Sequence, residues 1–212
     1  MLRIWGRPSS VNVQKVLWAA DELGLAYEHI VVGGKFGGTD GAAYGALNPN
    51  RLVPSIQDDP ETPGGAPVTI WESNSITRYL AARYGAGTLW PALPGQRSEA
   101  DRWMDWALTI IGEPLRVLFW GFIRDPAHAV PEAMQQAEAQ AAQYWARLDA
   151  HLADRAYVAG DAFSMGDIPV GCFVQRWLNF PITRPSLPHL EAWHERLSQR
   201  PAYAKHVMVR ME

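Results

Sequence analysis

Two short segments of the chain set hydroxyl side chains at the start of a helix, where the chemistry available is the holding of an anion. In Ser9-Ser10-Val11-Asn12-Val13 the serines precede Val13, Val16, Leu17, Ala20 and Leu23, which follow helical spacing as far as a stop at Gly24. In Trp71-Glu72-Ser73-Asn74-Ser75-Ile76 the same arrangement precedes Ile76, Tyr79, Leu80 and Arg83, with a stop at Gly85. The first N–H groups of a helix lack intrahelical partners and its dipole favours negative charge. A serine there either caps the helix or helps hold an anion, and the two roles are compatible. The six histidines show no metal-ligand spacing beside a carboxylate, so no metal site is expected. The single cysteine, Cys172, excludes an internal disulfide and any Cys-x-x-Cys motif. It sits in an apolar helical segment and reads as core.

The elements that must position these groups fall into two parts. Leu2–Trp5 is a short apolar run ended by Gly6 and Pro8, a strand meeting a loop, and Tyr27–Val32 reads as a second strand. Gly33 to Gly45 holds six glycines and reads as a mobile loop with room for one helical turn. Val53–Gln57 and Val68–Trp71 read as strands, and Ser73–Tyr84 as a helix. The order β-α-β-loop-β-β-α predicts a small mixed-sheet α/β module over residues 1–84. Residues 85–95, rich in Gly and Pro, read as a linker. From 96 to 212 only helical signals remain. Trp103, Trp106, Ala107 and Ile110 form one stripe, which Gly112 and Pro114 are expected to end or kink. Met134, Ala137, Ala141, Trp145, Leu148 and Leu152 form another, and Phe163 to Phe180 is apolar on most sides, as a central bundle helix would be. That helix opens on Ser164-Met165-Gly166-Asp167, a capping box, with Phe163 and Ile168 at the spacing of a hydrophobic staple.

Composition narrows the class. Hydrophobic residues make up 48% and charged residues 19%, the balance of an ordinary soluble globular protein. The net charge is -3, with seven basic and eight acidic groups in residues 1–84, so neither half is lopsided. A nucleic-acid or anionic-membrane binder would carry a basic excess, and none is expected here. Asp105, Glu113 and Arg116 interrupt the most apolar region, and the start lacks the apolar stretch of a secretory signal. A cytoplasmic protein is expected. Ten tryptophans are the unusual entry.

An α/β module of about eighty residues, a linker and an all-helical domain together resemble the soluble glutathione S-transferases. Four stretches carry the resemblance across nearly the whole chain: Ser9 to Val13, Asn48-Pro49-Asn50-Arg51-Leu52-Val53-Pro54, Trp71 to Ile76, and Gly160 to Ile168. The general look is similar to bacterial, serine-type members near the theta and phi classes. The resemblance implies a thioredoxin-like first domain that binds glutathione and a helical second domain that shapes the pocket for the other substrate. It implies that Val53–Pro54 is cis, with Val53 offering its backbone to the cysteinyl part of glutathione, and that Glu72 and Ser73 take the γ-glutamyl end. It assigns thiol activation to Ser10, with Asn12 and Ser9 as runners-up. Glutathione would be a co-substrate, and no other cofactor is implied. A homodimer is implied as well.

Two departures stand out. Many relatives hold the glycyl carboxylate with a basic residue directly before Val-Pro, where this chain has Leu52; Arg51 or Lys35 would have to substitute. No cysteine lies near residues 9–12, which argues against the thiol-transferase and dehydroascorbate reductase classes. For the electrophile pocket the expected residues are Trp5, Arg7, Trp106, Ile110, Arg116 and Trp120, with Phe119 and Trp177 as further aromatics and Arg124 as a second cation. The expected activity is conjugation of glutathione to small hydrophobic electrophiles. A non-catalytic carrier of hydrophobic ligands, or a glutathione-dependent peroxidase, isomerase or dehalogenase, is the alternative.

Overall fold

The structure, a computed structural model, describes residues 1–212. Leu2–Trp5 forms β1, Tyr27–Ile30 β2, Ser55–Asp58 β3 and Val68–Trp71 β4, in one sheet ordered β2-β1-β3-β4. β1 and β2 are parallel and are joined by the crossover helix α1 (Val11–Glu22), whereas β3 runs antiparallel to β1 and to β4. Helix α3 (Ser73–Tyr84) packs against α1. This is the mixed-sheet module the sequence predicts. Two details differ. β3 begins at Ser55 rather than Val53, since Pro54 has no N–H to give a ladder. The glycine-rich stretch is better ordered than expected, holding a 3-10 turn at Gly34–Phe36 and a short helix α2 (Ala42–Leu47).

Gly6 lets the chain leave β1 and reach α1 in five residues. Its φ is +152°, and a Cβ there would lie 2.4 Å from a Val13 methyl, so only glycine allows the loop to press onto the first turn of α1. Ser9 and Ser10 follow on that loop.

The helical part comprises α4 (Pro94–Trp106), α5 (Gly112–Phe119), α6 (Pro131–His151), α7 (Asp167–Asn179), α8 (Pro188–Ser198) and α9 (Pro201–His206). Gly112 and Pro114 do not end a helix. A π turn at Ala107–Ile111 joins α4 to α5, and a second at Trp120–Arg124 extends the rod, which runs unbroken from Pro94 to Arg124. The wide i→i+5 turn lies just where the Pro114 ring would otherwise meet the Ile110 carbonyl, four residues back. By length and composition this rod could cross a bilayer. Here it packs along α6 and α7 as a bundle helix.

α7 is buried over ten of its thirteen residues, Cys172 included, and its Gly171 lets α1 approach: a Cβ there would sit 2.9 Å from the Trp18 ring. One apolar cluster of 40 buried residues spans both domains. The capping box is half formed. Asp167 Oδ2 accepts from the Ser164 amide at 2.9 Å, but the Ser164 hydroxyl faces the Gly166 amide, not that of Asp167. Phe163 packs on Trp18 and Tyr157 rather than acting as a local staple. Asp167 Oδ1 instead accepts from the Val158 amide and the Trp193 indole, both at 3.0 Å. Burial pushes this carboxyl up to about 6 against the pull of its donors, so it is ionised at neutral pH.

Asp167→Ala strands buried donors from Val158, Ser164 and Trp193. It should cost about 3 kcal/mol or more, a fall of roughly 6–12 °C in melting temperature at this size. A calorimetric loss of only a degree or two would contradict this role.

Candidate active site

The N-terminus of α1 is built with its polar groups facing a cavity. Ser10 precedes the helix in extended conformation (φ −75°, ψ 122°); its amide donates to the Arg7 carbonyl at 3.1 Å and its carbonyl accepts from Gln14 at 2.9 Å. Its hydroxyl makes no capping bond. Of the two roles open to Ser10, capping is therefore excluded, and a buried hydroxyl beside a helix N-terminus is left free.

Asn12, two residues on, is held from behind. Its Oδ1 accepts from Lys15 Nζ at 2.9 Å and from the Ser73 hydroxyl at 3.4 Å. A lysine ammonium only donates, so the amide orientation is settled by its partner and the Nδ2 hydrogens point away from both. Lys15 is 1% exposed and lies 4.8 Å above the Phe173 ring, with no carboxylate paired to it. Burial pushes its ammonium down to about 8.

The Asn12–Ser73 bond brings the starts of α1 and α3 together. Glu72 leads into α3 with φ +71°, a left-handed backbone that costs a side-chain-bearing residue on the order of 1–3 kcal/mol. Ser73 is buried but does not cap the helix with its hydroxyl, so its own amide and the next ones are open to an anion. The Val53–Pro54 peptide is cis. The Leu52 carbonyl is pinned by Tyr44 Oη at 2.7 Å and Asn48 Nδ2 at 2.9 Å. Val53 makes no backbone hydrogen bond within the chain, which leaves its N–H and C=O as an unpaired edge. Arg51 Nη1 sits on the carbonyls of Thr39, Asp40 and Gly41, while its Nε and Nη2 make no hydrogen bond within the chain. Lys35 pairs with Glu212 at 2.6 Å, an exposed contact that is easily exchanged.

A cavity of about 350 Å³ joins the start of α1 to the helical domain; Val53, Glu72 and Ser73 do not line it. Arg7, Ser9, Ser10, Asn12 and Lys15 form one wall; Leu108, Glu113, Leu115, Arg116, Phe119, Phe173 and Arg176 form the other, with Glu212 at the edge. Of the six residues expected at an electrophile pocket, Arg7 and Arg116 line this cavity and four do not. Trp106 packs on Trp103 and Trp145, with centroids 5.2 and 5.9 Å away. Trp5 is a β1 residue registered with Ile30 and Ser55. Ile110 faces outward, and Trp120 lines a separate hollow with Val117 and Met134. Trp177, too, is core at 1% exposure. Lys15, Phe173 and Arg176 were not anticipated. The signal was present, in a basic residue breaking each of two strongly apolar helices.

The chain matches the family model for the glutathione S-transferase N-terminal domain over residues 9–83 and that for the C-terminal domain over residues 102–201. It is 40% identical to glutathione S-transferase GstB of Escherichia coli, covering 99% of each chain, and 29% identical to glutathione S-transferase 3 of Zea mays, covering 97% of this chain and 93% of that one. Among solved structures, a theta class glutathione S-transferase of Xanthomonas axonopodis pv. citri with glutathione bound superposes with a TM-score of 0.92 at 47% identity, covering 100% of this chain and 99% of that one.

The buried ammonium has a consequence for stability. Its folded value, about 8, lies below the ordinary 10.5. Between those limits the unfolded chain binds more protons than the folded one, so this group adds stability as pH rises. Measured against Lys15→Met, the melting temperature of the parent should therefore gain several degrees between pH 8 and 10.5. A difference that stays flat with pH would show that Lys15 is not desolvated.

Proposed function

Because this chain belongs to the glutathione S-transferase family and conjugates the thiol of glutathione to electrophiles, we propose that Ser10 and Asn12 are the groups that hold that thiol as a thiolate. A free thiol titrates near 8.5, so at neutral pH most glutathione is the weaker nucleophile. A hydroxyl and an amide donating to the sulfur, together with the positive end of α1, favour the anion. Each tenfold gain in thiolate needs about 1.4 kcal/mol of such preference. The observation that carries this reading is the Ser10 hydroxyl, buried at a helix start and committed to no partner. Lys15 contributes by fixing the Asn12 amide with its donors outward.

The rest of glutathione follows from the open backbone groups. The γ-glutamyl α-carboxylate meets the Ser73 hydroxyl and the first amides of α3, with Glu72 beside them. The cysteinyl residue pairs with the N–H and C=O of Val53, held by the Leu52–Pro54 turn. The glycyl carboxylate is taken by Lys35, on leaving Glu212, or by the unbonded Nε and Nη2 of Arg51. The electrophile enters between Arg7 and Arg116. Its attacked carbon gains a bond to sulfur as the leaving group departs with its electron pair. On this reading the domains meet at residues 85–95, and the enzyme acts in cytoplasmic detoxification. It forms a homodimer that covers exposed apolar residues such as Leu52 and Trp71.

The test is conjugation of glutathione to 1-chloro-2,4-dinitrobenzene by the parent and by Ser10→Ala across pH. The variant should lose about ten- to a hundredfold in kcat/KM at neutral pH, with the apparent pKa of the profile moving up toward about 8.5. Full activity at pH 7 would transfer the role to Asn12 or Ser9.

A further inference from the structure

Two cations are buried in the active-site cavity without an anionic partner. Lys15 is one. The other is Arg176 of α7, 8% exposed, whose guanidinium stacks 4.3 Å above the Phe119 ring. Its one hydrogen bond runs from Nη2 to the Ser9 carbonyl, at 3.3 Å, so one of five donors is used. None of its nitrogens is sealed away without a partner, so the unbonded ones reach solvent, and Arg176 lines both this cavity and an adjoining one of about 730 Å³. Arg7 lines the same space and is likewise in no ion pair, and Arg124 lies near enough to act on both guanidiniums. The carboxylates at the cavity are engaged elsewhere. Glu113 forms a bidentate pair with Arg116 at 2.7 and 3.0 Å, and Glu212 pairs with Lys35 while also acting on Arg7 from a distance. Glu72 acts on Lys15 only from a distance.

Burying an unpaired charge is costly, and such groups concentrate where a counter-charge binds. The thiolate supplies one negative charge, on the side of Ser10, Asn12 and Lys15. Arg176 comes from the helical part, against Phe119 and within reach of the Ser9 carbonyl, where the second substrate enters. Resting on the functional reading above, we propose that the preferred electrophile carries a carboxylate next to the carbon that is attacked, of which a 2-halocarboxylate is the simplest form, and that Arg176 is the residue that binds it. The step balances without a further reactant: the thiol proton goes to solvent, the sulfur pair forms the C–S bond, and halide leaves with the C–X pair. The guanidinium holds the carboxylate in a planar, bidentate fashion and keeps its charge away from the incoming thiolate.

Iodoacetate and iodoacetamide share the reacting carbon, the leaving group and the size, and differ in charge. Relative to the uncatalysed reaction with glutathione, the parent should accelerate iodoacetate about tenfold or more beyond iodoacetamide. Arg176→Gln should remove that preference while leaving iodoacetamide within about threefold, and Arg176→Lys should restore part of it. If the Gln variant does not fold, the parent alone decides: propionate should compete with 1-chloro-2,4-dinitrobenzene conjugation and propionamide should not. Equal acceleration of both iodo compounds, equal loss of both in a folded Arg176→Gln, or equal inhibition by propionate and propionamide would overturn the proposal and leave the transferase reading intact. Failure to turn over any of the three electrophiles would overturn the transferase reading itself.

Discussion

Helix α1 is buried over eight consecutive residues, Val13 to Ala20, because it has no solvent face: the sheet and α3 lie on one side, α7 and α9 on the other. A helix enclosed in this way cannot slide or rotate without disturbing both domains. Its two ends are tied as well. At the C-terminal end Arg200 grips Glu22 with bonds of 2.8 and 2.6 Å, and Asp21 accepts from Lys205 and His206. At the N-terminal end Lys15 and Ser73 both donate to Asn12 Oδ1. The catalytic proposal depends on this restraint, because a helix start stabilises a thiolate only when its amides and side chains stay aimed at one point.

Several energetically unfavourable features of the molecule lie near that point. Glu72 holds a left-handed backbone, Val53 leaves a peptide edge unpaired, Ser10 keeps a hydroxyl without a partner, and two cations are buried. Each opposes folding, and the shared core across both domains offsets them. The open peptide edge and the hydroxyl gain partners when a peptide bearing carboxylates and a thiolate fills the space, so binding of glutathione should also stabilise the fold.

The outline of the fold was legible because its signals are local. β4 and α3 run over the residues that alternation, a helix start and the Gly85 stop indicated, and α1 follows its apolar spacing. Where the reading failed, non-local geometry decided. Pro114 sits inside a helix because a neighbouring π turn makes room for it. Trp106 and Trp177 are core and Trp120 faces another hollow, since helical spacing places a ring on a stripe without saying what meets that stripe. Lys15 and Arg176 stood in plain view as charges in apolar helices. Only their burial side by side, at one cavity with no carboxylate to pair them, gives them a meaning.

The central claim is that the sulfur of glutathione rests at the start of α1, against Ser10 and Asn12. A crystal structure of the glutathione complex near neutral pH tests it most directly. The account expects the sulfur within hydrogen-bonding distance of Ser10 Oγ, with the Asn12 amide nitrogen turned toward it and the γ-glutamyl carboxylate on the first amides of α3. A sulfur that faces Ser9 or the solvent, with the Ser10 hydroxyl turned to the helix as a cap, would contradict it.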